Sequence, residues 1–241
     1  MKLQIIIVFI FSFLFWGCSS KPLDPVSFDR VNKDISFTKD VKPILDNRCV
    51  SCHSCYNSPC QLNLGSFAGL DRGASKDLVY ATRMKAANPT RLFVDALNTK
   101  EWRDKSFFSM TDKMEDTNAS IMMQYLFEKD INPKLEGKYS PETDKLSCVK
   151  NKEELEDYLE VNPHKAMPYG FPGLSKNEYN TLMTWLDNGA IDDTPKDVIN
   201  DFEKAQIKKY EDFFNDTSIQ NHVTARYIYE HLFLAHISFD D

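Results

Sequence analysis

The chain has 241 residues, a formal charge of −7 and a pI near 5.3. An acidic balance excludes a nucleic-acid binder built on a basic face. An apolar content of 42% is that of an ordinary globular protein of one or two domains. The chain opens on Met1-Lys2 and an apolar run from Leu3 to Trp16, broken only by Gln4 and Ser12, which ends in Gly17-Cys18-Ser19-Ser20. A positive start, a short apolar stretch and a small residue before a cut read as a signal peptide over residues 1–17. The run is too short for a bilayer span, which needs ~20 apolar residues. The Gly17-Cys18 pair resembles a bacterial lipobox, so Cys18 is expected to be lipidated as the first residue of the mature chain; a plain signal peptide with an incidental Cys is the alternative. Both place the mature protein in the periplasm or cell envelope, lipid-anchored on the first reading, where disulfides persist.

The next element is a short helix. Val41, Ile44 and Leu45 share one face, Thr38 is a candidate N-cap and Pro43 is tolerated only near a helix start. It runs into Cys49-Val50-Ser51-Cys52-His53, the Cys-x-x-Cys-His signature of c-type haem attachment. Two thiols at this spacing add across the two vinyl groups of one haem, and the adjoining His53 falls under the iron as proximal ligand. The alternatives are a zinc half-site, which needs a second Cys/His pair, and a redox dithiol. The expected cofactor is one covalent haem c, with the cytochrome c maturation machinery as a partner.

Far downstream stands Met167-Pro168-Tyr169-Gly170-Phe171-Pro172-Gly173-Leu174, followed by a helix over 175–190. Ser175 and Glu178 form a capping-box pattern, Tyr179, Leu182, Met183 and Leu186 make one apolar face, and Asn188-Gly189 closes it. Both this block and the segment before Cys49 resemble parts of a cytochrome c domain. There a Met-Pro loop supplies the distal iron ligand and the last helix packs on the first. Met167 is therefore the candidate distal ligand, with His164 as its rival; Met with His is a known axial pair.

Between the two pieces lies a long insertion at about 54–163. Within and beyond it stand Leu70-Asp71-Arg72-Gly73-Ala74-Ser75-Lys76, Pro89-Thr90-Arg91-Leu92-Phe93, Glu101-Trp102-Arg103-Asp104-Lys105-Ser106-Phe107-Phe108 and Arg226-Tyr227-Ile228-Tyr229-Glu230-His231. With the Met167–Ser175 string, these closely resemble the N-terminal region of the bacterial fatty acid cis/trans isomerases. The resemblance runs from about Phe37 to Phe239. It implies an exported haem enzyme that turns cis double bonds of unsaturated fatty acids or membrane phospholipids to trans, with Cys49, Cys52 and His53 catalytic through the haem. Family members are several-fold longer than this chain, so residues 197–241 are expected to begin a second, truncated region. The alternative function, carried by the haem motif and Met167, is an envelope electron carrier.

The remaining readings are coarser. The expected fold is mainly α: a cytochrome c-like haem domain over 36–192 with its insertion, then C-terminal helices. Helices are expected at Lys152–Val161, Asp197–Phe214 and His222–Ile237, the last packing inward, with a linker near Pro195. Cys55, Cys60 and Cys148 leave two pairings open, Cys55–Cys60 or Cys60–Cys148. Arg72, Lys76, Arg83, Arg91 and Arg103 are candidates for lipid headgroups or haem propionates, or else solvated surface charges with acidic neighbours. Trp102, Phe107, Phe108 and Tyr125 read as core aromatics, with an acyl channel as the alternative. His222, His231 and His236 lack the i, i+4 spacing of a helical metal pair and read as structural.

Overall fold

Pro43 dictates how the chain enters its first helix. It has no N–H to donate and its ring collides with the carbonyl four residues back. In the computed structural model the helix starts as a wide π-turn, Phe37–Val41, in which Val41 and Lys42 donate to Ser36 and Phe37, five residues back. The regular helix α1, Lys42–Arg48, follows with Pro43 in its first turn. Ser36, not Thr38, is the N-cap, its hydroxyl accepting from the Lys39 N–H. Two extra residues of wide turn move the start upstream of the place where a regular helix would begin.

The structure describes residues 21–54, 58–77, 79–81, 84–85, 90–132, 147–195 and 199–232. The 1–17 signal segment, Cys18, Cys55, Arg83 and His236 lie outside them. The helices in chain order are α1, α2 (Phe67–Arg72), α3 (Thr99–Asp104), α4 (Ile121–Ile131), α5 (Lys152–Val161), α6 (Lys176–Asp187), α7 (Asp201–Phe214) and α8 (Ile219–Leu232). A two-residue hairpin, Tyr80–Ala81 with Met84–Lys85, lies between α2 and α3. The mainly α expectation is met.

Two compact units result, Met1–Thr194 and Pro195–Asp241. In the first, α6 carries the centre of the core. Tyr179, Leu182, Met183, Trp185 and Leu186 are each at most 1% exposed. Trp185 packs on Phe37 and Phe67 with ring centroids 5.6 and 6.5 Å away, and its Nε1–H donates to the Ile191 carbonyl. One indole thereby joins the start of the first helix, α2 and the chain leaving α6. The capping box at Ser175 and Glu178 forms as expected, and Gly189 takes the positive φ of +94° that ends the helix.

The insertion is no appendage. Its helix α4 is buried on nearly every side, from Ile121 through Phe127, and belongs to the same core cluster as Val41, Leu45 and Leu182. It showed no amphipathic period because a helix enclosed all round needs no polar face. An extended N-terminal stretch binds across the same helices. Gln124 of α4 donates to the Asp24 carbonyl at 3.1 Å, and Tyr179 of α6 donates to that of Ser27 at 2.8 Å.

Glu178 also ties α6 to the end of α1. Arg48 donates to both its carboxylate oxygens at 2.9 and 3.0 Å, a forked pair directly before Cys49. The guanidinium and the capping bonds hold the Glu178 carboxyl down at about 2. A carboxylate depressed in the folded state adds stability above its unfolded pKa and loses it as pH falls through the folded one. The melting-temperature gap between wild type and Glu178→Gln should therefore be full above about pH 5 and close toward pH 2. A gap that is constant over that range would show that the pair contributes nothing through charge.

In the second unit, α7 carries a capping box at Asn200 and Glu203. Helix α7 spans Asp201–Phe214, and Asp197, its expected start, lies outside the described residues. Helix α8 spans Ile219–Leu232, and the expectation that it packs inward is corrected: Val223, Tyr227, Tyr229 and Leu232 are all more than half exposed. Its aromatic and aliphatic side chains are spread around the helix and give no single face to bury. His231 stacks on Tyr227, with centroids 4.0 Å apart.

Candidate functional site

The attachment motif is one helical turn. Cys49 caps α1, and the N–H groups of Cys52 and His53 both return to the Cys49 carbonyl, at 3.1 and 3.0 Å. That turn puts both thiols and the imidazole at one end of the helix. Cys49 and Cys52 are free thiols, whereas Cys60 and Cys148 are joined as a disulfide. Burial pushes the Cys49 thiol up to about 12. A redox dithiol is favoured by the opposite shift, so this burial lends the dithiol alternative no support. Among the described residues no three His, Cys, Asp or Glu side chains gather as a metal site, which gives the zinc half-site no second half there.

His53 is buried, and its ring is held by one bond: Nδ1 lies 3.2 Å from the Leu62 carbonyl. A carbonyl only accepts, so Nδ1 carries the proton and Nε2 is left with its lone pair. Orienting a ligand imidazole through its other nitrogen is the usual second-layer device of metal sites. Burial also lowers the His53 pKa, which favours the neutral ring that a metal ligand must be. These residues fit a c-type haem: two unpaired thiols one turn apart, and a buried neutral imidazole with a free Nε2.

The loop that supplies the Leu62 carbonyl is tightly determined. Cys60 and Gln61 both take positive φ, 58° and 51°. Left-handed backbone at two successive non-glycine residues costs ~1–3 kcal/mol each and persists only where neighbours impose it. Here the disulfide holds Cys60, the Ser75 N–H donates to the Cys60 carbonyl, and the Gln61 amide bridges to the Asp77 carbonyl and the Thr90 hydroxyl. Arg72 donates to the carbonyls of Gln61 and Thr90. Gly73 follows at φ +81°, where a Cβ would meet the Phe108 carbonyl oxygen at 2.1 Å. No other residue lets the chain pair with Phe108 after Arg72.

Met167 follows a 3-10 turn at Pro163–Lys165. Its N–H donates to the Tyr125 carbonyl at 3.2 Å, and its half-buried side chain borders the main core, as does Cys49. The Met167–Pro168 peptide is cis. His164 rests 6.4 Å from the Tyr169 ring. The aromatic candidates resolve as packing: Trp102 and Phe107 meet edge to face in a small second core, and Tyr125 is buried in the first. Of the basic set, Lys76 pairs with Glu154 and Arg91 with Asp95, while Arg103 donates to the Arg72 and Asp71 carbonyls. Arg72 is no surface charge at all; it is 1% exposed. Sequence reasoning placed it wrongly because an arginine between Asp71 and Gly73 carries no local mark of burial. Surface grooves flank the N-terminal segment, walled by Glu128, Glu156 and Glu160, and include no motif residue.

A family model described as fatty acid cis/trans isomerase matches residues 87–241. The chain belongs to the fatty acid cis/trans isomerase family. No curated protein and no solved structure matches it. The isomerase segment takes in α3, α4, the Met167–Pro168 loop, α6 and the second unit, and it begins after Cys49–His53. The loop and helix that fix His53 are nonetheless built partly from it. Thr90 takes part in the bonds that hold Gln61, and Glu178 pairs with Arg48.

Proposed function

We propose that this chain is a haem-dependent isomerase acting on cis double bonds of unsaturated fatty acyl chains, as free acids or in membrane phospholipids, in the bacterial cell envelope. Membership of the family supplies the reaction class. The observation that carries the cofactor is the buried His53, its Nδ1 proton committed to Leu62 and its Nε2 free, one turn from two unpaired thiols.

Cys49 and Cys52 would hold the haem through thioethers, His53 would ligate its iron through Nε2, and Met167 is the candidate for a second protein ligand. Bound there, haem would supply one-electron chemistry able to weaken a double bond with no net redox change. The protein's part is positional. The α1 terminus fixes both sulfurs, Leu62 keeps the Nδ1 proton in place, and the disulfide and Arg72 hold the loop that carries Leu62. Export through the 1–17 signal, lipidation at Cys18 and haem insertion by the cytochrome c maturation machinery complete the reading.

The test is direct. The full chain is matured in a periplasm, purified with haem and incubated with a cis-monounsaturated fatty acid and no electron donor, and the trans/cis ratio is read by gas chromatography. Wild type should raise the ratio steadily, and the Cys49→Ala, Cys52→Ala double variant should show at least a 100-fold lower rate. A haem-loaded wild type that leaves the ratio unchanged would sink the proposal.

A further inference from the structure

Arg72 holds the loop that carries Leu62, but the proposed function gives its buried charge no task. It is 1% exposed, and its Nε–H is buried with no acceptor. Its two terminal nitrogens donate to backbone carbonyls, Nη1 to Thr90 at 2.7 Å and Nη2 to Gln61. Its flanks are the faces of Trp102 and Phe107, 5.6 and 5.2 Å from the guanidinium carbon. Among the described residues no carboxylate forms an ion pair with it. The neighbouring Asp71 carboxylate takes the Thr99 hydroxyl instead, and the charge that reaches the Arg72 backbone is a second guanidinium, that of Arg103.

Carbonyl dipoles and aromatic faces stabilise a cation without cancelling it. A buried charge is normally paired, and a donor left unmade in the interior is costly. The charge nevertheless persists near neutrality, because burial brings the guanidinium down only to about 10. Its position is the notable part. Arg72 grips the Gln61 carbonyl, and the next carbonyl along the chain, that of Leu62, receives the His53 Nδ1–H. One peptide unit separates the uncompensated charge from the bond that orients the candidate iron ligand.

We propose that Arg72 is a positioning residue that fixes the Gln61–Leu62 carbonyls behind His53 and keeps a net positive charge beside the haem anchor, raising the potential of the haem. This rests on the haem reading above and deepens it. A nearby cation disfavours the oxidised, more positive state, so the haem is poised to withdraw an electron. In an interior of effective dielectric about 20 such a charge changes the ferrous-to-ferric ratio on the order of tenfold.

Spectroelectrochemical titration of the haem-loaded full chain tests this. Arg72→Met removes the charge, Arg72→Lys keeps it with fewer donors, and Gln61→Glu places a compensating carboxylate in the same buried corner. Arg72→Met and Gln61→Glu should each lower the ferrous-to-ferric ratio at fixed potential about tenfold, which is ~59 mV for a one-electron couple. Arg72→Lys should stay close to wild type. If Arg72→Met does not fold, Gln61→Glu decides alone. Wild-type potentials in both charge-altering variants, with haem intact, overturn the proposal. A fall in Arg72→Met and Arg72→Lys without one in Gln61→Glu also overturns it, leaving Arg72 a structural staple. A wild-type chain with no Soret band overturns the haem reading itself, and does so before any variant is compared.

Discussion

Replacing Cys60 and Cys148 together by serine should lower the melting temperature by roughly 10 °C, an expected loss of about 4 kcal/mol. The bond joins residues 88 apart, with Cα atoms 5.6 Å from each other. Closing so long a loop removes much of the unfolded chain's freedom, which is why the expected effect is near the top of the range for one disulfide. The variant loses more than a crosslink. Cys60 holds φ 58° and begins the strained pair whose next neighbour, Leu62, anchors His53. Once the tether is gone, Cys60 and Gln61 are free to relax to ordinary backbone. The His53 ring should then lose its fixed orientation, which under the haem proposal broadens the haem spectra. Thermal melts of the double serine variant beside wild type decide the matter. A shift of only a degree or two would mean that the bond neither forms in the mature protein nor constrains it.

Trp185→Ala should cost about 4 kcal/mol and again roughly 10 °C. Three losses combine. The indole is 1% exposed, so its removal opens a cavity at the centre of the first unit. Its ring contacts with Phe37 and Phe67 disappear, and the Ile191 carbonyl loses its donor. Trp185→Phe separates these contributions in part, because it keeps a six-membered ring in the core and removes the N–H together with the five-membered ring. Its expected cost is ~2 kcal/mol, one hydrogen bond plus a smaller cavity. Denaturant unfolding of both variants gives the two numbers. Equal losses in the two would show that the hydrogen bond and the five-membered ring, not the rest of the packing, carry the effect. The site should feel Trp185→Ala as well, since Phe37 opens the helix that ends at Cys49.

Features set by bonds between near neighbours were legible before any coordinates. The Cys49–His53 turn, the capping box of Ser175 and Glu178, the stop at Asn188-Gly189 and the bounds of Lys152–Val161 all depend on residues at most four apart. A local pattern is sufficient there, because helical hydrogen bonds and caps span that distance. The exit from this regime is visible at Ser36, where a proline seven residues later moved the cap by changing the turn before it.

Only the tertiary structure decided the rest. Cys60 pairs with Cys148 rather than with a nearer thiol because the fold brings α5's start back to the loop after the motif. Helix α4 lies in the core and shows no period, since burial on all sides erases the polar face that periodicity reads. Arg72 looks like any surface arginine in the sequence, and the aromatic pair that encloses it, Trp102 and Phe107, comes from about thirty residues further on. His53 was readable as a candidate ligand from its neighbours in the motif. The bond that orients its ring, to Leu62, needed a loop held by a disulfide and by Arg72, because a carbonyl's position is a property of the whole fold and not of the residues beside it.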